Sequence, residues 1–390
     1  MGRLNISLPP FAPDYSGACS MMFPLNSLIV IYDASGCTSN YTGFDEPRWY
    51  GSDKMVFCSG LRQLDVALGN DERYIEKICQ AAEYHKPDLI LFAGSPVPLV
   101  IGTDFQAIAE DIETRTHIPT IGVPTNGLND YLSGISEVCQ ILLDKFLDEK
   151  EKTKARTVNL LGLTPLDFNE DTVKDLISFL EKYGWNINCI LSHDLTLEKI
   201  KSITSAELNL VFNMGGVDIG EWLLKFYDMP YLAGIPIGVD DQQLYIGRME
   251  EIIKSGNKRN FWQIEEDGRK KRKKIGIIQE SVLANSLGRK LYEQFPDYEI
   301  CVASPFSKTC DDYEKTTAIL KSEKDIIAYL QDNQFDLLIA DPLIIGLTDG
   351  IKSFNYSHFA ISSHFYKKYD RNIIGKSGDE IIEEIKKILN

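Results

Sequence analysis

The chain has 390 residues, of which 44% are hydrophobic and 25% charged, and its formal net charge is −16 at pH 7. The negative charge argues against nucleic acid as a partner, because a phosphate backbone needs a basic face. No early segment resembles a secretion signal and the longest apolar runs are too short to span a membrane, so we expect a cytoplasmic protein that does not interact with membranes.

Short apolar runs alternate with amphipathic helical stretches along the whole sequence. This alternation predicts parallel β-sheets covered by helices. The strands predicted in the first third are Leu28–Tyr32, Met55–Cys58, Asp88–Ala93 and Thr120–Val123. The helices predicted between and after them are Glu72–His85, Asp104–Arg115 and Asp130–Asp148.

The same pattern restarts after a charged segment that ends near Arg156. The middle part has predicted strands at Thr157–Leu163, Ile187–Leu191, Leu208–Phe212 and Tyr231–Ala233, and predicted helices at Glu170–Tyr183 and Asp218–Tyr227. The last part has predicted strands at Ile275–Ile278, Ile300–Ala303, Leu337–Ala340 and Phe359–Ile361, and predicted helices at Lys324–Gln331 and Asp379–Leu389.

A basic run, Arg269–Lys274, falls between the middle and last parts. In so acidic a chain we interpret it as a solvated linker rather than a nucleic-acid patch. The predicted fold class is therefore α/β, with three consecutive Rossmann-like domains at residues 1–150, 151–268 and 269–390. Each of these is of ordinary domain size.

Several nucleotide-binding and catalytic motifs are absent from the sequence. No G-x-G-x-x-G follows the first strand of a domain, so NAD is not an expected cofactor. No P-loop is present, so the chain itself is not expected to hydrolyse a nucleotide by that route. There is also no H-E-x-x-H, C-x-x-C or G-x-S-x-G motif.

Two of the eight cysteines have similar surroundings near the N-terminus. Cys19 and Cys37 are each expected in a small-residue loop beside an apolar strand, with a nearby glycine that lets the backbone turn sharply. Thiolates at such junctions are suited to hold an iron–sulfur cluster. Cys58 ends the next predicted strand. The other cysteines are interpreted as structural residues, namely Cys79 and Cys139 in helices, Cys189 in a strand, and Cys301 and Cys310 beside a loop.

Five segments, in this order, resemble those of one protein family. They are Ser35–Cys37, Asp65–Asn70 and Ser95–Asp104 in the first domain, the run from Ala206 to Gly238 in the middle domain, and Phe335–Pro342 in the last domain. The order is similar to that of the nitrogenase component 1 family, and the similarity extends over the whole chain. That family includes the large subunits of nitrogenase, the dark-operative protochlorophyllide and chlorin reductases and the reductive cyclase of coenzyme F430 synthesis.

The resemblance implies three Rossmann-like domains around a central cleft, and paired subunits that share an iron–sulfur cluster at their interface. It also implies an ATP-dependent iron protein that docks there and delivers low-potential electrons. We therefore expect a catalytic component, either a homodimer or paired with a related subunit, that reduces an unsaturated substrate. The alternatives are a scaffold for metal-cofactor assembly and a ligand-binding protein without a cluster.

By the same resemblance, Cys19 and Cys37 take the positions of the first two cluster ligands. Ser95 stands where the family's third cysteine is usual, and a serine oxygen is a weaker iron ligand than a thiolate. Cys58 is an alternative ligand, because strand ends meet at one edge of a parallel sheet. In the arrangement that we place first, two identical chains each contribute Cys19 and Cys37 to one 4Fe-4S cluster.

The cysteine that anchors nitrogenase's large metal cofactor is expected where this chain has Phe212–Gly216, which contains no thiol. No histidine is evident at the second anchor, so neither an iron–molybdenum cofactor nor dinitrogen reduction is expected. This turn precedes a helix predicted from Asp218, and its exposed amides could hold an anionic or polar ligand; a simple strand-to-helix turn is the alternative. A strand in the last domain resembles the one that reaches the family's substrate cavity. The predicted substrate pocket accordingly comprises Asn213, Met214, Gly215 and Asp341.

Overall fold

The fold is built on three separate β-sheets, one in each third of the chain. A computed structural model describes residues 5–69, 71–147, 150–262, 273–306 and 317–390. All strand pairings within the three sheets are parallel. The predicted α/β fold class with parallel sheets is confirmed. Each sheet lies within one of the predicted domain ranges, whose boundaries remain predictions.

The strands occupy the following positions in the three sheets. The first sheet comprises β1 (Ser27–Tyr32), β2 (Met55–Cys58), β3 (Leu89–Gly94) and β4 (Thr120–Val123), in the order β2-β1-β3-β4. The second comprises β5 (Thr157–Leu161), β6 (Asn186–Ile190), β7 (Leu208–Val211), β8 (Tyr231–Ala233) and β9 (Arg259–Asn260), in the order β6-β5-β7-β8-β9. The third comprises β10 (Lys273–Ile278), β11 (Tyr298–Ser304), β12 (Ala318–Ile319), β13 (Leu337–Ala340) and β14 (Ser353–Asn355), in the order β12-β11-β10-β13-β14.

In all three sheets the first strand in sequence has later strands on both of its sides. The chain therefore reverses the direction in which it adds strands, and loops diverge at the carboxyl end of that first strand. Ligands of open α/β sheets bind at such switch points. The carboxyl ends of β1, β5 and β10 are thus the places to look for functional side chains.

Helices of very different lengths cover the sheets, and we call each sheet together with its helices a unit. Those in the first unit are α1 (Asp14–Met22), α2 (Gly36–Asn40), α3 (Gln63–Leu68), α4 (Glu72–His85), α5 (Pro96–Ile101), α6 (Phe105–Thr116) and α7 (Tyr131–Phe146), and a π-helical turn spans Tyr41–Asp45. Those in the second unit are α8 (Glu170–Lys182), α9 (Leu197–Lys201), α10 (Met214–Tyr227) and α11 (Asp240–Ser255). Those in the third unit are α12 (Ser281–Gln294), α13 (Glu323–Asn333), α14 (Pro342–Ile345), α15 (Phe359–Ser362) and α16 (Gly375–Leu389). Across the described ranges, no helix combines the length and apolarity needed to cross a bilayer.

The central strand β1 is buried on both faces, as is typical of parallel sheets. Its side chains alternate between two apolar layers. Leu28 and Val30 pack with residues of α4 and α6, whereas Ile29 and Ile31 pack with residues of α1 and α7. This period of two places α1, which carries Cys19, under one face of the first sheet.

Cys37 lies in the short helix α2 rather than in the predicted loop. The surroundings predicted for Cys19 are also wrong, because this residue lies inside α1. The neighbouring glycine serves helix packing rather than a turn. A Cβ on Gly17 would collide with the carbonyl oxygen of Tyr131, and a Cβ on Gly134 would collide with that of Asp14. Glycines at these two positions therefore let α1 and α7 approach closely.

Other predictions in the last third also need correction. The predicted strand Phe359–Ile361 is the helix α15, and the fifth strand of that sheet lies earlier, at Ser353–Asn355. Cys301 lies within β11 rather than beside a loop, and Cys310 lies outside the described residues. Of the basic run, residues 269–272 also lie outside them, while Lys273 and Lys274 belong to β10 rather than to a linker.

Candidate functional site

The loop that follows β1 is organised by the carboxylate of Asp33. Its Oδ2 accepts hydrogen bonds from the backbone N–H groups of Ser35 (2.9 Å), Cys37 (2.8 Å) and Thr38 (3.3 Å). The backbone of Asp33 is tied to the end of β2, because its N–H donates to Ser59 Oγ and its carbonyl accepts from the same hydroxyl. The loop is thereby fixed at the carboxyl edge of the first sheet.

Cys37 is the half-buried thiol of this edge. It interacts with the side chains of Tyr15, Asp33 and Ser95, which come from α1, the end of β1 and the end of β3 respectively. Burial first, and then the charge of Asp33, raise the pKa of the Cys37 thiol, while Tyr15 and Ser95 act in the opposite direction. The thiol is therefore neutral until a cation displaces its proton, as in metal binding coupled to deprotonation.

Cys58 and Ser95 lie at the ends of the two strands that flank β1. The thiol of Cys58 lies 3.4 Å from the carbonyl oxygen of Asp33, and it accepts a hydrogen bond from the backbone N–H of Gly60 (3.3 Å). Ser95 is fully buried and donates a 2.9 Å hydrogen bond to the carbonyl of Tyr32. Three of the four predicted cluster residues, Cys37, Cys58 and Ser95, are thus brought to one sheet edge, where Cys37 interacts with Ser95 and Cys58 approaches Asp33.

Cys19 differs from these residues, because it is fully buried inside the unit. It lies one turn after Tyr15 in α1, on the same face of that helix. Burial, followed by the charges of Glu46 and Asp14, raises the pKa of Cys19 well above its usual value. Its electrostatic neighbours therefore differ from those of Cys37, and its thiol does not reach the surface.

An ion pair between Glu46 and Arg48 fixes the segment that follows the π-helical turn, and Glu46 lies close enough to Cys19 to affect its thiol. Glu46 Oε1 lies 2.6 Å from the Nε atom of Arg48, whose guanidinium also donates to the carbonyl oxygens of Ser20 and Ser192. The last of these bonds connects the first unit to the second.

Within the described residues, no three His, Cys, Asp or Glu side chains form a group able to hold a metal ion. The described part of one chain therefore does not present a complete group of such ligands in this conformation.

The predicted substrate residues lie at a second place, where the three units meet. Asn213 caps α10, which begins at Met214 rather than at Asp218, and its side chain accepts a 2.8 Å hydrogen bond from Gly216 N–H. The N–H of Met214 donates a 2.9 Å hydrogen bond to Glu280 Oε1. These amides are buried and the protein's own Glu280 carboxyl binds one of them, so of the two interpretations of this turn the structure fits the strand-to-helix turn and not an exposed anion site.

The remaining predicted pocket residues support this packing. Gly215 lies against α7, where a Cβ would approach within 2.8 Å of Ile135. Asp341 is fully buried and accepts hydrogen bonds from the N–H of His358 (2.9 Å) and from Ser362 Oγ (2.7 Å). Burial raises the pKa of the Asp341 carboxyl. Asp341 thus fixes the backbone that carries His358.

Polar side chains from all three units contact one another at this place. Asp167, which follows β5, accepts hydrogen bonds from Tyr131 Oη and from Asn213 Nδ2 (2.8 Å). His358 Nε2 lies 3.4 Å from Asp167 Oδ1. We call Tyr131, Asp167, Asn213, Glu280 and His358 the junction cluster. All five of these side chains are buried.

Sequence reasoning missed most of the junction cluster, since only Asn213 was predicted. Asp167, Glu280 and His358 each follow a strand and precede or begin a helix. The position of a polar residue just after a strand is the one signal that could have identified them. That signal is shared by many loop residues, and nothing in the sequence shows that these three loops meet.

A separate groove of about 910 Å³ lies on the surface of the first unit. It runs between α6 and α7, and its lining includes the carboxylates of Glu110, Glu113 and Asp144. The residues predicted for the cluster or the substrate pocket do not line it. The groove is therefore not the site at which the sequence places the chemistry.

Comparison with known proteins places the chain in a family. A model of the family described as nitrogenase component 1 type oxidoreductase matches residues 13–338. The chain belongs to this family. The resemblance drawn from the sequence is thereby confirmed at the level of the family.

Two kinds of curated relative match the chain at low identity. A subunit of the light-independent protochlorophyllide reductase from Heliobacterium modesticaldum is 24% identical over 184 residues, which are 46% of this chain and 35% of that protein. The nitrogenase iron-molybdenum cofactor biosynthesis protein NifE from Methanococcus maripaludis is 22% identical over 388 residues, with 90% of this chain and 78% of that protein covered. The chain thus spans about a third of the first relative and most of the second.

A solved structure named nitrogenase Cp1 at pH 6.5 has the same fold. It superimposes with a TM-score of 0.74 over 100% of this chain and 94% of its own, at 14% sequence identity. At that identity the likeness concerns the fold alone. It confirms the prediction that this family member consists of Rossmann-like units.

Proposed function

We propose that this protein is a catalytic component that accepts low-potential electrons from an ATP-dependent iron protein and reduces an unsaturated substrate other than dinitrogen. The observation that carries the proposal is the sheet edge where Cys37, Cys58 and Ser95 meet around Asp33. Iron–sulfur clusters are held by thiolates, and Cys37 is reachable from solvent. Membership of the nitrogenase component 1 type family supports the direction of electron flow.

The predicted ligands of one chain supply only part of what a 4Fe-4S cluster needs. Cys37 and Cys58 approach the same carboxylate residue, whereas Cys19 is enclosed one helical turn away from Tyr15. Four thiolates are needed for such a cluster. We therefore propose that two copies of the chain, or this chain and a related subunit, each supply half of the ligands across their interface.

A surface next to this edge is suited to a protein partner. Helix α5 begins directly after Ser95, and its sequence is almost entirely apolar. Its exposed apolar side chains are Val97, Leu99, Val100 and Ile101, of which Val100 is 84% exposed. Contiguous exposed apolar residues mark interaction sites. This helix supports the proposal that a partner, either the second subunit or the iron protein, covers the cluster edge.

Two cysteine variants test the proposed cluster. After anaerobic reconstitution with iron and sulfide, Cys37→Ala should lose most of the iron that the wild-type chain binds. Cys79→Ala is the matched control, because Cys79 is also partly buried but lies within α4. It should retain the iron. Equal iron contents in the two variants contradict the proposed ligand set.

A scaffold for metal-cofactor assembly is the second candidate function. The NifE relative favours it, since that match covers 90% of this chain whereas the reductase match covers 46%. The two functions differ in what the reconstituted protein does. A catalytic component is reduced by the iron protein with ATP and retains its iron, whereas a scaffold releases a cluster or precursor to an acceptor protein.

A further inference from the structure

Two buried carboxyl groups from different units approach the start of α10. The Asn213 side chain donates to Asp167 Oδ2 (2.8 Å), and the next residue, Met214, donates its backbone N–H to Glu280 Oε1 (2.9 Å). The side chain of Asp167 and the residue Glu280 are each only 1% exposed. Consecutive residues of one helix terminus thus hold two carboxyls close together.

These carboxyls have no basic partner among the described lysines and arginines, because no ion pair joins either of them to one. The titratable groups that face the pair are Tyr131 and Asp130 from the start of α7, His358 beside α15, and Asp341 and Asp370, both of which interact with His358. Glu280 Oε2 also accepts the N–H bonds of Val282 and Leu283, and these bonds favour the charged carboxylate. Two buried negative charges without a cation are nevertheless unfavourable. Burial, and then the charge of Asp167, raise the pKa of Glu280 to about 8.

His358 is the third polar side chain of this place. Its ring is fully buried and packs against Phe306, with ring centroids 5.2 Å apart. Among the described residues, neither ring nitrogen has a hydrogen-bond partner, although Nε2 lies 3.4 Å from Asp167 Oδ1. The Oε1 of Gln279 and the Oγ of Ser281, on either side of Glu280, also lack partners in the part of the chain that the structure describes. Unpartnered buried polar atoms are rare and need a physical reason.

We propose that Asp167, Glu280 and His358 are a proton-binding site that holds one exchangeable proton where the three units meet. A proton bound at this site removes one of the two buried negative charges, and because the groups interact, it belongs to the site rather than to one residue. Reduction of an unsaturated substrate consumes protons as well as electrons. If the site donates its proton during that reduction, this role rests on the proposed function. The existence of the proton site does not.

Infrared spectroscopy of the full chain without iron tests the site. The difference spectrum of wild type minus Glu280→Gln at pH 6 should contain the carbonyl stretch of a protonated carboxyl, shifted in D2O because the proton exchanges. That band should disappear as the pH is raised through about 8. Glu323→Gln is the matched control: Glu323 accepts three backbone N–H bonds but lies in α13, away from the cluster. Its difference spectrum should lack the band at pH 6.

A second variant removes the neighbouring charge and keeps Glu280. In Asp167→Asn the carboxyl band should disappear at a lower pH than in the wild type, because the charge that holds the proton on Glu280 is gone. An unchanged midpoint, or no carboxyl band at pH 6 in the wild type, overturns the proton site. Failure to bind iron contradicts only the proposed function, since these spectra require no cluster.

Discussion

Buried carboxylates position two of the candidate functional residues of this protein. Asp33 accepts three backbone N–H bonds that shape the loop of Cys37, and Asp341 holds the backbone of His358. Hydrogen bonds to charged acceptors contribute about 1.5–3 kcal/mol each. Neither carboxylate needs to contact a substrate for its removal to disturb the site.

The buried carboxyl of Asp45 makes the stability of the protein depend on pH. It ends the π-helical turn after Cys37 and accepts hydrogen bonds from Ser16 Oγ (2.6 Å) and Asn40 Nδ2 (2.7 Å). Burial raises the pKa of Asp45 to about 7. Since the folded state binds this proton more tightly than the unfolded state, the stabilisation is complete in acid and is lost as the pH rises towards 7.

Asp45→Asn should therefore be more stable than the wild type at pH 8, by about 1–3 kcal/mol, and gain much less at pH 4. Urea denaturation of both proteins at the two pH values measures the difference. Asp53→Asn, at an exposed position nearby, is the control and should change little at either pH. A stability difference for Asp45→Asn that does not grow with pH contradicts this account.

Part of the candidate site could be predicted from single residues. The rule that strand ends meet at one sheet edge predicts the approach of Cys58 and Ser95 to the loop of Cys37, as the structure shows. Their roles as cluster ligands remain predictions. The burial of Cys19 could not be foreseen, since it depends on how closely α1 packs on α7.

At the scale of elements, two glycines allow α1 and α7 to pack closely. Gly17→Ala should destabilise the protein by about 1–3 kcal/mol, because its Cβ meets the backbone of Tyr131, which cannot move easily. Gly247→Ala makes the same chemical change in α11, where nothing lies within 4 Å of the new Cβ. It should be stabilising by about 0.5–1 kcal/mol. Thermal or urea unfolding of the two variants provides the comparison, and a loss of equal size in both contradicts the packing argument.

Three of the helices that were missed or misplaced in the prediction from sequence each have a physical reason of their own. Helix α12 is buried along Ser281–Leu291, including Arg289 and Lys290, so its polar residues do not mark a solvent-facing side. The first turn of α10 contains Gly215 and Gly216, which indicated a loop but are needed for close contacts with α7 and β5. The short run at α15 has no periodicity that distinguishes helix from strand. The long, clearly periodic helix α4 was predicted at its observed bounds, Glu72–His85.

At the scale of the whole molecule, buried ions connect the second and third units. Asp241 of α11 forms ion pairs with Arg289 and Lys290 of α12, and all three residues are at most 3% exposed. Removal of one partner leaves buried charges uncompensated. The N-terminal segment is also tied to the third unit, because Glu323 accepts the N–H bonds of Ile6, Ser7 and Leu8.

Asp241→Asn should destabilise the protein by about 3–5 kcal/mol, since buried Lys290 loses the carboxylate that it pairs with and buried Arg289 keeps only the exposed Glu293. Asp240→Asn is the control, because the neighbouring Asp240 is exposed. Urea denaturation followed by fluorescence measures both. Equal stabilities of the two variants contradict the view that this ion cluster holds the units together.

The three-unit architecture could be predicted because each unit repeats the alternation of strands and helices. How the units face one another could not, because the junction cluster depends on side chains that are more than 30 residues apart in sequence, such as Tyr131 and Asp167, whose positions differ by 36. A single sequence carries no record of such contacts. One of the two interpretations of Asn213–Gly216, an anion site, was wrong for this reason, since the group that fills it, Glu280, belongs to another unit.

The measurement that tests the central claim most directly is the iron and sulfide content of the anaerobically reconstituted chain, determined together with its native mass when it is prepared alone. The account predicts a brown homodimer with about four iron and four sulfide per two chains, as for one shared 4Fe-4S cluster. A colourless, iron-free protein contradicts the proposed function. A monomer that binds four iron contradicts the proposal that the cluster is shared between two chains.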